Sequence, residues 1–199
     1  MTERRKLGVF GGSFDPVHLG HIRAAVLAKA AVGLDEVVFV PAGNQWQKET
    51  HTPASHRLAM LQMAVASIQG FSVSTVDVDR GGPTFSFDTI TDLVAQYPLT
   101  DIYFLVGTDA FAGMDSWHRA DELFELANFV VITRPGSQLS VPKVAKGRFR
   151  VIEVPALDLS STEFRKKFGL GLDCSDLVPE PVLTYIRENR LYLGNVGNE

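Results

Sequence analysis

Leu7-Gly8-Val9-Phe10-Gly11-Gly12-Ser13-Phe14-Asp15-Pro16-Val17-His18-Leu19-Gly20-His21 is the stretch from which the rest of the chain can be read. Leu7 to Phe10 is a short apolar run closed by two glycines, the pattern of a buried strand. A helix signal follows. Asp15 suits an N-cap and Pro16 the first helical position. Ile22, Ala25, Val26 and Ala30 then recur at helical spacing as an apolar face. Gly33 stands where such a helix should stop. Strand, glycine turn and helix in this order are the opening of a βαβ unit.

The alternation continues outward from there. Apolar runs predict strands over 35–41, 71–78, 101–106, 129–133 and 149–154. Thr52-Pro53 opens a helix whose buried side draws on Leu58, Leu61, Met63 and Val65. Further helices are expected over 87–96, 120–127, 160–168 and 179–189, with Ser160 and Glu163 fitting the S-x-x-E capping box. Segments 42–52, 79–86 and 137–147 read as loops. The strands are continuous apolar runs, as expected when both sheet faces are covered. The fold expected is α/β: a Rossmann-like, doubly wound, mostly parallel sheet with a small C-terminal helical part. Residues 1–199 are expected to form a single domain, with a helical subdomain from about 155 to 199. Ligands of such sheets bind beyond the carboxyl ends of the strands, where the 11–21 turn lies.

Bulk properties narrow the function classes. A formal net charge of −4 is not the basic excess of a nucleic-acid binder, so no nucleic-acid partner is expected. The single cysteine, Cys174, allows no intrachain disulfide. No Cys/His cluster has metal-site spacing, so no protein-held metal is expected. Met1 to Leu7 is charged and lacks a secretory h-region. No apolar run approaches the roughly 20 residues that span a bilayer. A reducing cytoplasm is therefore the expected location, without membrane association; a homo-oligomer is left open.

The 11–21 turn carries the chemistry. Two glycines allow close backbone approach to a ligand, and a helix start offers N–H groups and partial positive charge to an anion. His18 and His21 are three apart, on one face, with Gly20 between them leaving room for a nucleotide. A lone histidine here would most often only satisfy backbone groups. Two in H-x-G-H, after a Gly-Gly turn, suit donation to a phosphate as its charge redistributes. The dinucleotide fingerprint G-x-G-x-x-G, the Walker sequence and the hydrolase elbow G-x-S-x-G are all absent.

This turn resembles the signature of the H-x-G-H nucleotidyltransferase superfamily, which transfers NMP from an NTP and releases pyrophosphate in the presence of Mg²⁺. The superfamily's second signature, I-S-S-T-x-x-R, is similar to Leu159-Ser160-Ser161-Thr162-Glu163-Phe164-Arg165, with Leu in place of Ile. Within the superfamily the chain most resembles nicotinate-nucleotide adenylyltransferase. Pro83-Thr84-Phe85-Ser86-Phe87-Asp88-Thr89 is similar to that family's P-[ST]-Y-T-x-x-T loop, with Phe85 and Ser86 where Tyr and Thr are frequent. Gly107-Thr108-Asp109-Ala110, Trp117, Thr133-Arg134-Pro135-Gly136 and Asp176-Leu177-Val178-Pro179-Glu180-Pro181-Val182 also look like family segments.

The resemblance implies an adenylyl transfer from ATP to nicotinate mononucleotide, with Mg²⁺ carried on ATP. It implies His18, His21 and Arg165 as catalytic residues. Gly11, Gly12, Ser13, Phe14, Gly107, Asp109, Ser161 and Thr162 would join them around ATP. Trp117 would stack on the pyridine ring, and backbone N–H groups near Ser86 and His118 would hold its carboxylate. Lys48 and Arg134 would face phosphates on the acceptor side. Other acceptors keep the same chemistry: nicotinamide mononucleotide, phosphopantetheine or FMN. A nucleotide sensor without turnover is the reading from another class.

Overall fold

The structure, a computed structural model, describes residues 4–45, 50–155 and 159–193. Its main sheet has six parallel strands. These are β1 (Arg5–Gly12), β2 (Glu36–Pro41), β4 (Phe71–Val73), β6 (Thr100–Gly107), β7 (Asn128–Thr133) and β8 (Phe149–Glu153). Their spatial order is β4-β2-β1-β6-β7-β8. The chain thus winds outward from β1 to one edge, returns, and winds outward from β6 to the other. That order is the doubly wound Rossmann arrangement, and its switch point lies between β1 and β6. A two-stranded ribbon pairs β3 (Asn44–Gln45) with β5 (Pro83–Thr84).

Alternation along each strand feeds two cores. Val37, Phe39, Leu105 and Val130 face one side, while Leu7, Val9, Val38, Phe104 and Val131 face the other. The first core is covered by α1 (Leu19–Val32), α2 (Ala54–Val65), α7 (Ser161–Gly169) and α8 (Glu180–Glu188). The second is covered by α4 (Ser86–Gln96), α5 (Thr108–Ala112) and α6 (Ala120–Leu126). Phe164, Phe168, Val182 and Ile186 from the C-terminal helices sit in the same cluster as Ala25, Met60 and Phe39. No described helix is long and apolar enough to cross a membrane.

Local corrections have physical causes. The first helix begins at Leu19 with His18 as N-cap, not at Asp15-Pro16. The Asp15-Pro16 bond is cis, and the Asp15 carboxylate accepts instead from the His51 N–H and the Tyr192 hydroxyl, each at 2.5 Å. The helix stops at Gly33, with φ 72°. Its inward residues are Ala25 and Ala28; Val26 is 44% exposed. In α2 the buried side is Arg57, Met60, Leu61, Ala64 and Val65, while Met63 faces out. The predicted strand over 71–78 ends at Val73, and a short helix, α3 (Val76–Arg80), follows. Its buried Asp77 takes hydrogen bonds from Thr89 at 2.7 Å and Arg80 at 2.9 Å. A carboxylate needing those partners cannot lie in an apolar ladder.

Candidate active site

The C-terminal ends of β1, β6 and β7 release the chain into Gly11–His21, Thr108–Asp109 and Arg134. Side-chain burial shapes the first of these. Phe14 has φ 49°, yet its ring is only 2% exposed and packs against Phe10, His21 and Phe39. A left-handed residue costs roughly 1–2 kcal/mol. Burying a phenylalanine returns about 1.5–3 kcal/mol, so the turn is held by its own aromatic. Gly12 makes this fit: a Cβ there would lie 3.2 Å from the Phe14 ring. Because the Phe14 side chain is core, a nucleotide can meet this residue only through its backbone.

His18 and His21 stack, with ring centroids 3.6 Å apart and planes 28° from parallel. The His18 backbone N–H donates to His21 Nδ1 at 3.2 Å. An accepting Nδ1 places the proton of neutral His21 on Nε2, which leaves that N–H as its donor. His18 is 7% exposed, and its Nδ1 has no hydrogen-bond partner among the described residues. Burial and the nearby Arg134 charge push the His18 pKa down to about 4. Burial, then the neighbouring His18, holds His21 well below the usual imidazole value. Both shifts favour the neutral rings at pH 7.

Two expectations about this turn are revised. The helix start is not a bare anion site, because Leu19 N–H already donates to the Leu177 carbonyl at 2.9 Å and His18 N–H to His21. Nor does Gly20 leave space for a nucleotide. A Cβ there would lie 2.9 Å from His18 Nδ1, so the glycine makes room for the His18 ring itself.

The second motif docks on the first. Ser160 caps α7, accepting from Glu163 N–H at 3.0 Å. Ser161 Oγ donates to the Pro16 carbonyl at 2.9 Å. Arg165 donates to the Asp15 carbonyl at 2.6 Å and to Thr162 Oγ1 at 3.3 Å. Arg165 and Ser161 thus brace the histidine turn, and half of the arginine's fork remains close to Thr162 at the helix start. Asp109 is exposed in the first turn of α5, directly after Gly107. Arg134 is exposed too, but within electrostatic reach of His18, where a phosphate beside the imidazoles would also feel it.

Ser86, expected to contact an acceptor, is the first residue of α4, whose opening N–H groups have no partner within the helix. The His118 ring meets that of Phe85, the residue before Ser86, with centroids 4.7 Å apart. Trp117 is half-buried and meets Phe104 edge-on, with centroids 6.3 Å apart. Lys48 lies outside the described residues. Sequence reasoning passes over Phe104, which reads as one more apolar residue of a strand. It also passes over Arg57 and Tyr192, whose partners are distant in the chain.

Comparison with known proteins gives the family. The cytidylyltransferase-like family pattern matches residues 9–167, which include both motifs. A protein of Saccharopolyspora erythraea described as "probable nicotinate-nucleotide adenylyltransferase" is 47% identical over 98% of this chain and 92% of its own length. One of Mycobacterium tuberculosis with the same description is 44% identical over 94% and 92%. The chain belongs to the cytidylyltransferase-like family, among the nicotinate-nucleotide adenylyltransferases. The fold is shared with Plasmodium falciparum nicotinic acid mononucleotide adenylyltransferase complexed with NaAD, at a TM-score of 0.76 and 22% identity, covering 94% of this chain and 97% of that one.

Proposed function

We propose that this protein transfers AMP from ATP to nicotinate mononucleotide, giving nicotinate adenine dinucleotide and pyrophosphate, in NAD biosynthesis. The observation that carries the reading is the stacked, neutral His18–His21 pair, held at the switch point by Arg165 and Ser161 of the second motif. The relatives named for this activity, similar over nearly the whole chain, support it.

An oxygen of the acceptor phosphate, already ionised at neutral pH, attacks the α-phosphorus of ATP in line. A new P–O bond forms, the bond to the β-phosphate bridging oxygen breaks, and pyrophosphate leaves with the electron pair. No proton has to be removed, which suits imidazoles too weakly basic to remove one. Catalysis is positioning plus charge stabilisation. The His21 Nε2–H and the His18 ring would donate to the α-phosphate, with Arg165 and Arg134 beside the phosphates. Mg²⁺ belongs to the substrate, as Mg·ATP. Among the described residues no cluster of three or more His, Cys, Asp or Glu could hold a metal ion.

Gly11, Gly12, Ser13 and Phe14 would line the ATP phosphates through backbone, and Asp109 would take a ribose hydroxyl. Trp117 would part from Phe104 to stack on the pyridine, with the N–H groups near Ser86 and His118 on its carboxylate. We read residues 1–199 as one domain, since α7 and α8 share a core with α1 and α2. Cytoplasm is the compartment in which the chain would meet these substrates.

Pyrophosphate release with Mg·ATP is the test, run in parallel with nicotinate mononucleotide, nicotinamide mononucleotide, phosphopantetheine and FMN. Rapid release with nicotinate mononucleotide alone is expected. Release only with another acceptor would overturn the assignment of Trp117 and Ser86. ATP binding without release from any of them would overturn the reaction.

A further inference from the structure

Arg57 has the largest of the fully buried side chains, with 0% exposure, on the first turn of α2. Burial pulls its pKa down, and the nearby Asp15 carboxylate opposes that pull. Its three nitrogens go to three separate loops. Nε donates to the Thr52 carbonyl at 3.1 Å, one terminal nitrogen to the Ser13 carbonyl at 2.8 Å, and the other to the Gly43 carbonyl at 2.9 Å. Ser13 follows β1, Gly43 follows β2, and Thr52 leads into α2. Two of these loops emerge from the carboxyl edge of the sheet at neighbouring strands, on the side where the histidine pair stands.

The turn that follows β1 is braced by side chains along its length. Ser13 carbonyl is held by Arg57, Asp15 carbonyl by Arg165 and Pro16 carbonyl by Ser161. The Asp15 carboxylate is held by His51 N–H and by the Tyr192 hydroxyl. Carbonyl oxygens facing a polyphosphate would repel it, and each of these oxygens is instead directed to a donor. Because a trans peptide is planar, fixing the Ser13 carbonyl also fixes the direction of the Phe14 N–H on the opposite side of that bond. An apolar side chain of similar volume would avoid the desolvation of a buried guanidinium. It could not orient three carbonyls from three loops. Only a planar fork with donors in fixed directions can do so, and a lysine reaches with a single point.

We propose that Arg57 is a positioning residue for ATP, setting the turn that carries His18 and His21 and locking it to the Gly43 and Thr52 ends of the 43–52 segment. The inference rests on the adenylyl-transfer reading for its kinetic readout, and on ATP binding for a readout independent of it. A guanidinium that sets the ATP turn acts first on KM for ATP and on kcat, and moves KM for the acceptor less, through the Gly43 and Thr52 carbonyls that flank Lys48 in the sequence. A guanidinium that only stabilises the fold changes the folded fraction and the melting temperature, but not the constants of the folded molecules.

The experiment compares wild type with Arg57→Lys and Tyr192→Phe. Each is assayed for active-site-normalised kcat, KM for ATP, KM for nicotinate mononucleotide, Tm, and equilibrium binding of a non-hydrolysable ATP analogue. For Arg57→Lys, kcat/KM for ATP is expected to fall by about tenfold to a hundredfold, the scale of a small misplacement of reacting groups. KM for the acceptor should rise by clearly less than KM for ATP, since of the site itself only the Ser13 carbonyl is held directly by Arg57. Tyr192→Phe, which removes one hydroxyl from the same brace, should shift the same constants in the same direction by less. Folded Arg57→Lys with wild-type kcat, KM for ATP and analogue affinity would overturn the proposal. So would equal losses toward ATP and acceptor. If Arg57→Lys does not fold, Tyr192→Phe decides by the same criteria. If wild type itself transfers no AMP, the reaction falls while the Arg57 inference is decided by analogue binding alone.

Discussion

The two sides of the proposed site, one for ATP and one for the acceptor, are built differently. On the ATP side, Phe14, His18 and Arg57 are 2%, 7% and 0% exposed, and the turn is tied down from α2 and α7. On the acceptor side, His118 is exposed, Trp117 is half-buried, and the groups meet mainly by ring contacts: Phe85 with His118 and Phe104 with Trp117. The contrast follows from the work each side does. Stabilising charge on a phosphate is effective only when donors are already oriented, because reorganising them during reaction would cost what they supply. A flat ring needs a surface to lie on, and two aromatics in edge contact can open to admit it. Rigidity is concentrated where the proposed reaction changes charge.

Mutations can break or sharpen that contrast. The largest effect is expected for His21→Ala, which removes the ring of the stacked pair whose tautomer the backbone specifies. Its kcat should fall by about 10²–10³, as when one oxyanion donor is lost, with KM for the acceptor unchanged. Pyrophosphate-release kinetics check this, and near-wild-type turnover would end the view of the ATP side as the charge-stabilising half.

Gly20→Ala comes next. The new Cβ would lie 2.9 Å from His18 Nδ1, so the imidazole must move. A displacement near 1 Å is enough to cost up to about a hundredfold in rate. Alanine is the better helix former by roughly 0.5–1 kcal/mol, so the loss should appear in kcat and not mainly in Tm. A melting temperature that collapses along with activity would show that the His18 packing is structural first.

Trp117→Ala should touch the other half only. Losing a stacking partner is worth about 0.5–1.5 kcal/mol beyond area, so KM for nicotinate mononucleotide should rise roughly threefold to tenfold. KM for ATP should not move. An equal rise for ATP would mean that the two sides are not separate.

pH gives a further comparison. His18 titrates at 6.5 when unfolded but at about 4 in the folded protein. Below 6.5 the unfolded chain binds the proton that the folded one refuses, so stability is fully present above that pH and is lost as pH falls toward 4. Tm measured from pH 7 to 4.5 should decline, and His18→Asn should flatten part of that decline. Over the same range wild-type kcat should follow the second ionisation of the acceptor phosphate, at about pH 6, and His18→Asn should keep the shape of that profile. A break that disappears in His18→Asn would mean that this imidazole works in its charged form.

The alternation of apolar runs with helix signals was enough to reach the doubly wound sheet, because a strand covered on both faces must be apolar on both. It failed locally at 71–78, where Asp77 is buried by pairing with Thr89 and Arg80, and at Asp15-Pro16. Asp15 has the composition of a cap, but its carboxylate is engaged by Tyr192, far along the chain. The histidines and Arg165 were legible because their types and spacing are local. Arg57 was not, since an arginine in the pattern Ala54-Ser55-His56-Arg57-Leu58 reads as a solvated helix residue. Its burial depends on three carbonyls from three loops, which nothing within the helix announces.

By itself, then, the sequence determined the order of strands and helices, the two helix-start motifs and the chemistry those residue types can perform, since each depends on residues within a turn or two of one another. The tertiary structure alone decided which groups meet. It stacked His18 on His21 in the space that Gly20 leaves, laid Arg165 and Ser161 on the carbonyls of the first motif, and sank Arg57 beneath it. Hydrogen-bond partners, burial and pKa are properties of neighbours in space, and the sheet brings those neighbours together from opposite ends of the chain.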